Sequence, residues 1–383
     1  MVTPFMKTHL LASCILAASL SPFAGSAQTN WSLRLSNTTQ PLAQVGYGGG
    51  TFVATGSGIV LNSTNGLSWT PYNLGSTSVT SLAYYNGVWY GLGAFGGPNF
   101  GTSTNNGHTW TGRNIVGLSA RAIACASGTL VAVGDSGFIR YSTDGGLTWN
   151  IGLSPTSNPI YGAAYGNGTW VAVGTYGTTI TSSDAQLWTL QSPADAWVPR
   201  SLTYAGGVFV MDADDSSLGS KLLVSNNAGI NWITATSPPA QYVSADHVGY
   251  GDGTWVAVGL VGRVLLSADA GRTWALQNSG ITTDLSAVTY GSGIWVAVGN
   301  NGTIITSQAS GSAEPPLVPN LQIQRAIELN WQSQEDALYQ VQCSTNAAFW
   351  QNIGSPILGD GQPKNFYDAA SQNPSKLYRV QVK

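Results

Sequence analysis

Charged residues are scarce in this chain of 383 residues: Asp, Glu, Lys and Arg together make up 8%, and the formal net charge is −3. Proteins that bind nucleic acid carry clustered basic residues that neutralise phosphates, so this composition argues against a nucleic-acid partner. Glu is missing altogether between positions 28 and 311, and Glu314 is the first after that stretch. That absence removes a common acid–base catalyst from most of the chain.

Long apolar segments and cysteines are also few. One apolar run, residues 10–20, is followed by small residues ending at Ala27. This pattern is typical of a secretory signal cleaved near Ala27, and no other segment is apolar for long enough to span a membrane. Cys14 falls in that signal, while Cys125 and Cys343 fall in different predicted domains, so no disulfide framework is expected. We expect a monomer that is secreted, periplasmic or at the cell surface.

Glycine (48 residues) and tryptophan (14) are abundant, and they recur at a fixed period. A unit of about 40 residues appears seven times, with an apolar run of the type Trp-Val-Ala-Val-Gly followed by the box Ser-x-Asp-x-Gly-x-Thr-Trp. Six boxes end in Trp, spaced 39 to 44 residues apart. A repeat of this period, with short apolar runs between Gly-rich turns, predicts an all-β solenoid or propeller.

The two ends of the repeat region complement each other. Trp31 lies 16 residues before Tyr47, the same offset that separates Trp274 from Tyr290, and the seventh unit has no Trp after its own box. The N-terminal strand is therefore expected to complete the last unit, which leaves no open sheet edge. We predict a seven-bladed β-propeller over residues 28–311, closed by its N-terminal strand.

The Ser-x-Asp-x-Gly-x-Thr-Trp box is predicted to form the turn before each outer strand, because Ser and Asp side chains bond nearby backbone amides and Gly supplies positive φ. The two complete copies consist of Ser142, Asp144, Gly146 and Trp149, and of Ser267, Asp269, Gly271 and Trp274. The box resembles the Asp-box, or BNR, repeat of sialidase-like propellers. That resemblance covers roughly residues 28–310, and it implies structural roles for these residues, away from the active face.

A second domain follows a Pro-rich linker at residues 312–319. Residues 320–383 alternate polar and apolar side chains, which predicts a small antiparallel β-sandwich. The pattern that includes Tyr339, Val341, Trp350 and Tyr378 resembles a fibronectin-III-like module found at the C-terminus of secreted bacterial proteins. The resemblance implies an accessory or surface-presentation role.

Candidate ligand-binding residues occupy one position of the repeat. Ligands of propellers usually meet the face where the inner strands begin. The residue four before the recurrent Tyr is polar and large in four successive units: Arg121, Tyr161, Arg200 and Asp246. The two arginines are suited to a carboxylate or sulfate, and Tyr161 to stacking on a sugar or to nucleophilic attack. Asp246 is a candidate acid. An ordinary polar rim, with Arg200 and Asp246 as an ion pair, is the alternative.

Three further features lie near this position. His247 follows Asp246, and Trp197 precedes Arg200, where an exposed indole would suit a glycan. The fifth unit also carries an insertion with Asp212, Asp214 and Asp215. Alternate acidic residues suggest a calcium loop, but no Glu closes it, so it does not match an EF-hand; a solvated loop is the alternative. No other cofactor is predicted.

Two classes of function remain open. The resemblance to sialidases implies that three Arg bind the substrate and that a Glu activates a Tyr, but residues 28–311 contain no Glu, so that activity is not expected. A glycoside hydrolase or polysaccharide lyase needs only suitably placed carboxylates, and two carboxyl groups roughly 5–10 Å apart suffice for hydrolysis. The candidates are Asp135, Asp195, Asp246 and Asp284.

The favoured expectation is a non-catalytic binding or scaffold propeller that recognises a glycan or another exported protein. The chain also resembles the propeller family that helps to assemble photosystem II, which shares the Asp-box blades. It lacks the broad Arg patch of that family, and the C-terminal sandwich does not fit. Fold alone does not decide between these functions.

Overall fold

A computed structural model describes residues 31–115, 120–191, 197–215, 219–236, 245–307, 322–324, 328–344, 349–353, 356–367 and 377–382. The predicted signal peptide and linker lie outside these ranges. The chain divides into two compact units, Met1–Ser310 and Gly311–Lys383. Within the described ranges, no helix is long and apolar enough to cross a membrane.

The first unit consists of short antiparallel strands joined by tight turns. Its strands are β1 (Trp31–Arg34), β2 (Leu42–Gly48), β3 (Thr51–Ser63), β4 (Thr70–Tyr85), β5 (Val88–Ala94), β6 (Phe100–Ser103), β7 (Thr111–Arg113), β8 (Ala120–Ala126), β9 (Thr129–Gly134), β10 (Ile139–Ser142), β11 (Asn150–Ile151), β12 (Ile160–Gly166), β13 (Thr169–Gly174), β14 (Thr179–Ser182), β15 (Thr189–Gln191), β16 (Trp197–Ala205), β17 (Val208–Asp215), β18 (Gly219–Ser225), β19 (Ile233–Thr234), β20 (Ala245–Gly251), β21 (Thr254–Gly259), β22 (Val264–Ser267), β23 (Ala275–Gln277), β24 (Leu285–Gly291), β25 (Ile294–Gly299) and β26 (Ile304–Ser307). Single 3-10 turns cover Asp135–Gly137, Leu260–Gly262 and Asn300–Gly302.

Each repeat supplies the strands of one antiparallel sheet. Repeats three to six form the four-stranded sheets β8–β11, β12–β15, β16–β19 and β20–β23. Repeats one and two share a six-stranded sheet, β2–β7, because β3 and β4 run through the turns that divide strands elsewhere. The apolar run of each repeat becomes the second strand, as in β13 and β21, and is almost fully buried. Buried on both faces, these strands carry Val and Ala on both sides, as expected for sheets packed face to face.

The N-terminal strand joins the last repeat. β1 pairs antiparallel with β26, with Trp31 opposite Ser307, to give the sheet β1–β26–β25–β24. β24 in turn packs on β2 of the first repeat, where the Tyr47 ring lies directly over Gly291. A side-chain carbon on Gly291 would lie 2.2 Å from that ring, so only glycine allows this approach.

The Ser-x-Asp-x-Gly-x-Thr-Trp boxes form hydrogen-bonded turns at the end of the third strand. The Ser142 hydroxyl donates to Asp144 (2.7 Å) and accepts from the Gly146 amide (2.9 Å). The other carboxylate oxygen of Asp144 accepts from the Thr148 hydroxyl (2.6 Å). These bonds, led by that of Thr148, hold the pKa of Asp144 down at about 2. The second complete box repeats the pattern, and the Trp274 indole donates to the Gly271 carbonyl (2.8 Å).

The second unit has its own small core. Its strands are β27 (Gln322–Gln324), β28 (Glu328–Gln332), β29 (Leu338–Ser344), β30 (Gln351–Asn352), β31 (Ile357–Leu358), β32 (Pro363–Tyr367) and β33 (Leu377–Val382). They form one sheet of β27, β28 and β32, and another around β29, which pairs with β30, β31 and β33. Trp331, Tyr339 and Val341 are buried between them. The fibronectin-III-like resemblance of this unit stays a prediction.

Candidate functional site

A β-bulge interrupts the innermost hairpin of all seven repeats at the same position. The register shifts there leave one unpaired residue each: Ala43, Thr80, Arg121, Tyr161, Arg200, Asp246 and Ser286. These bulge residues are the ones that lie four before the recurrent Tyr. A bulge frees its extra residue from the ladder and re-aims the side chain, and bulges are common beside functional sites. The backbone therefore presents this one column of side chains in every repeat.

Bulge residues of adjacent repeats touch each other. The Arg121 guanidinium lies over the Tyr161 ring, 4.8 Å from its centroid, a cation–π distance. Nη1 of Arg200 donates to Oδ1 of Asp246 at 2.9 Å. Because the bulges occupy equivalent positions in their hairpins, these four side chains lie at the same end of the sheets, which we call the mouth. The other bulge residues, Ala43, Thr80 and Ser286, are small, so the mouth is lined unevenly.

Both arginines of the mouth are already engaged by carboxylates of their own repeats. Arg121 bonds Asp135, which begins the 3-10 turn after β9, and Arg200 bonds Asp214, near the end of β17. The partner lies 14 residues after the arginine in both cases, so the two ion pairs occupy equivalent places. The hydrogen bonds that the two guanidinium groups donate to Asp135 and Asp214 are the main reason that the pKa of each arginine rises above its usual value. An anionic ligand at either guanidinium would compete with these carboxylates.

Asp246 sits at the centre of an acidic group. Burial raises the pKa of its carboxyl, the Arg200 charge opposes that rise, and the charges of Asp214 and Asp284 add to it. Asp284 precedes β24 and accepts hydrogen bonds from the Val261 amide (2.8 Å) and the Asn300 side chain (3.3 Å). Asp284 is thus fixed in position by the turns between the second and third strands of the sixth and seventh repeats.

Asp212 is a buried acid next to this group. Its side chain is fully buried, and neither carboxylate oxygen has a hydrogen-bond partner among the described residues, although the Ala213 amide lies near enough to favour the ionised form slightly. Ser201 lies directly opposite on β16, and its hydroxyl also has no partner there. Burial, and then the charges of Asp214 and Asp246, raise the pKa of Asp212 well above its usual value. The carboxyl therefore favours its protonated form.

The calcium-loop prediction is wrong about local structure. Residues Asp212 to Asp215 continue β17 and pair with β18, so no loop begins at Asp212. Alternation along the strand puts Asp212 and Asp214 on one face, where the Arg200 guanidinium supplies the nearby positive charge. In the parts of the chain that the structure describes, no group of three His, Cys, Asp or Glu residues could hold a metal ion.

Two predicted ligand residues point elsewhere. Trp197 is 2% exposed and packs edge-on against Trp232 in the core of the fifth repeat, so it offers no platform to a glycan. His247 is partly buried, and its Nδ1 accepts the Val288 amide of the next repeat at 3.4 Å. Ser81 makes the equivalent bond to the Ile123 amide at 3.1 Å, so His247 occupies a position that links neighbouring repeats. Asp195 lies outside the described residues.

A separate cavity lies at the opposite end of the fourth repeat. It measures about 360 Å³ and is lined by Thr169, Ser182, Asp184 and Leu187 among others. Asp184 belongs to that repeat's box, whose bonds to the Gln186 and Leu187 amides lower the pKa of the carboxyl. Among the described residues that line the cavity there is no arginine and no pair of ionised groups, so it offers less specific chemistry than the mouth.

The residues four before the recurrent Tyr could be aligned from the sequence, but their bulges and contacts could not be predicted from it. The bulge in each inner hairpin and the burial of Asp212 left no sequence pattern of their own. The Arg200–Asp214 pair had a usable signal, the 14-residue offset that it shares with Arg121 and Asp135.

Comparison with known proteins supports the fold. No protein-family model and no curated protein matches the sequence. Among solved structures, the chain is similar to YCF48 bound to D1 peptide (TM-score 0.59, 16% identity, covering 76% of this chain and 100% of the other) and to YCF48 from Cyanidioschyzon merolae (TM-score 0.58, 16%, 74% and 100%). It is also similar to virginiamycin B lyase from Staphylococcus aureus (TM-score 0.62, 11%, 74% and 100%). The first unit is a β-propeller.

Proposed function

We propose that this chain is an exported, non-catalytic binding propeller whose mouth holds a segment of another exported protein. The proposal includes a closed ring of seven blades, one per repeat. The pairing of β1 with β26 and the packing of Tyr47 over Gly291 support such a closure. The signal-like N-terminus of the sequence supports export.

The row of bulges carries this proposal. Seven equivalent bulges bring side chains from separate repeats to one end, and neighbouring pairs are already in contact there. A propeller presents such an end as a shallow, multi-sided surface around its axis, which suits a polypeptide segment. The small residues Ala43, Thr80 and Ser286 leave one side of this surface open for it.

The engagement of the acids favours binding over hydrolysis. Of the four candidate catalytic carboxylates, Asp135 and Asp246 are each paired with an arginine, Asp284 is hydrogen-bonded to Val261 and Asn300, and Asp195 lies outside the described residues. A general acid at neutral pH needs a raised pKa and room for its substrate proton. Burial raises the pKa of Asp246 although the charge of Arg200 opposes the rise, so the case against a general acid rests on the ion pair that already occupies this carboxylate. The likeness to a propeller solved with a bound peptide agrees with a peptide-binding role, but at 16% identity it supports the fold alone.

The test is binding of the purified chain to a peptide array and to a panel of neutral, uronic, sulfated and sialylated glycans, with released reducing ends measured in parallel. We expect peptide binding without release, weakened at least tenfold by Tyr161→Ala. The matched control is Tyr85→Ala, a tyrosine at the far end of an inner strand, away from the bulge. That variant should bind like the parent chain.

Three other outcomes would redirect the proposal. Glycan binding without release would replace the protein ligand by a carbohydrate. Release of reducing ends would make the chain a glycoside hydrolase or lyase and return attention to Asp135 and Asp246. Equal losses in the Tyr161 and Tyr85 variants would remove the mouth as the site.

A further inference from the structure

We propose that the ligand group received by the mouth is a cation, the ammonium or guanidinium of a lysine or arginine side chain on the partner polypeptide. This inference rests on the proposed function and specifies its chemistry. It reverses the anion-gripping role that the sequence suggests for Arg121 and Arg200.

The first observation is an excess of acid at the mouth. Asp135, Asp214, Asp246 and Asp284 lie there with the two guanidinium groups of Arg121 and Arg200 among them. Opposite charges attract a ligand toward such a surface and like charges repel it, so a cation is favoured over an anion.

The second observation is that acceptor atoms remain available while donor atoms are used. Oδ2 of Asp246 has no partner among the described residues, since Arg200 bonds Oδ1. Oδ2 of Asp135 is likewise left over by Arg121, which bonds Oδ1. These two carboxylates are partly exposed, with side-chain exposures of 24% and 39%. An ammonium group on a long stem would form a charge-assisted hydrogen bond with either oxygen.

The third observation is independent of the exposed acids. Asp212 is fully buried with both oxygens unpartnered, and its electrostatic neighbours are Asp214, Asp246 and Arg200. It shares a strand face with Asp214, so its carboxyl points into the acidic group. An unpartnered buried carboxyl is costly, and it is tolerated where a ligand charge compensates it. A bound cation would draw Asp212 toward ionisation, against the neutral form that burial favours.

The aromatic ring of Tyr161 completes the site. One of its faces carries the Arg121 guanidinium, which shows that the ring accepts a cation at 4.8 Å. A long aliphatic stem that ends in an ammonium packs well along such a ring while its head meets carboxylates. The chemistry of the mouth therefore matches a basic side chain better than a sugar hydroxyl or a carboxylate.

The experiment measures fluorescence anisotropy of three labelled hexapeptides, of lysine, of glutamate and of serine, titrated with the purified chain at low salt. We expect saturable binding of the lysine peptide and none of the glutamate or serine peptide. The variant Asp246→Asn should weaken lysine-peptide binding at least tenfold. The control Asp269→Asn changes net charge by the same amount at the opposite end, and Asn already stands at the equivalent Asn105 and Asn227, so it should bind like the parent chain.

Free lysine and spermidine are added as competitors to distinguish a basic side chain on a polypeptide from a free small amine as the ligand. If micromolar spermidine displaces the lysine peptide, the ligand is a free polyamine and not a partner polypeptide. Equal losses in Asp246→Asn and Asp269→Asn, or preferential binding of the glutamate peptide, would overturn the cation. If neutral peptides from the array bind and Tyr161→Ala abolishes their binding, the binding propeller stands without the cation. If no peptide binds at all, both proposals fail.

Discussion

Arg200 and Asp246 lie 46 residues apart on the bulges of adjacent repeats, and their side chains meet at 2.9 Å. The same guanidinium also bonds Asp214 of its own repeat. One side chain thus joins the second strand of the fifth repeat to the first strand of the sixth. The bulge makes this possible, because a residue within the regular ladder would point toward a neighbouring sheet instead.

Trp274→Ala should lower the free energy of unfolding by about 3–5 kcal/mol, because a buried indole leaves a cavity that the surrounding sheets fill poorly. Trp274 is 5% exposed and its indole is bonded to Gly271. Trp149→Ala should cost less, since Trp149 is partly exposed and meets Phe100 edge-on. Urea denaturation of both variants gives the comparison, and a loss below about 1 kcal/mol for Trp274 would contradict the packing of the repeats.

Asp212→Asn should stabilise the protein increasingly as pH rises. Burial raises the pKa of Asp212, so the folded chain keeps a proton that the unfolded chain releases. Raising the pH therefore favours unfolding. The contribution of Asp212 to stability is fully present below the ordinary pKa of an aspartate, and it is lost as the pH rises through the pKa that Asp212 has in the folded chain. Asparagine has nearly the same shape as aspartate but has no carboxyl group that titrates.

The measurement is the urea midpoint of the parent chain and the variant from pH 5 to pH 9. The control is Asp252→Asn, in an exposed turn at the other end of the inner strands, which should run parallel to the parent chain. A constant difference between Asp212→Asn and the parent chain at all pH values would contradict a protonated Asp212.

His247→Ser should remove a loss of stability in acid. The surroundings of His247 lower the pKa of its imidazole to about 4, because desolvation disfavours the charged ring. The unfolded chain binds a proton below about pH 6.5 that the folded chain refuses, so stability falls from that pH down to about pH 4. The shift corresponds to an upper bound of about 3 kcal/mol, which solvent screening reduces because the imidazole is partly exposed.

Serine is the matched replacement, because Ser81 already accepts the equivalent amide of the next repeat. Denaturation at pH 7, 5.5 and 4 should show a shallower decline for His247→Ser than for the parent chain. Parallel declines would mean that His247 does not control the acid sensitivity.

Arg121→Ala combined with Arg200→Ala should leave the fold intact and strengthen the binding of a cation. Each arginine is close to half exposed, and such ion pairs contribute about 0–1 kcal/mol each. Calorimetric unfolding should therefore change little. Isothermal titration with the hexalysine peptide should show tighter binding, since two competing cations are gone. Weaker binding would mean that the arginines themselves grip the ligand.

The repeat made much of the fold predictable. The fixed offset between Trp31 and Tyr47, equal to that between Trp274 and Tyr290, pointed to the pairing of the N-terminal strand that β1 and β26 show. The boxes predicted turns because Ser and Asp side chains form hydrogen bonds with backbone amides a few residues away. Such a local interaction can be predicted from the order of the residues alone. The continuous β3 and β4 were not foreseen, since nothing local distinguishes them from the broken strands of other repeats.

The candidate site was less predictable because it depends on contacts between repeats. The column of Arg121, Tyr161, Arg200 and Asp246 could be read from alignment of the units. Burial of Trp197 could not, because an indole at the start of a strand faces core or solvent according to the neighbouring sheet. The contact of His247 could not be predicted for the same reason: its Nδ1 accepts a backbone amide 41 residues away.

The central claim is that ligands meet the mouth rather than the opposite end. Hydrogen–deuterium exchange of the chain with and without its best-binding peptide tests this most directly. The account predicts slower exchange at the bulges, around residues 120–122, 160–162, 199–201 and 245–247, and unchanged exchange at the boxes. Protection confined to the boxes and to the cavity beside Asp184 and Leu187, with none at the bulges, would contradict it.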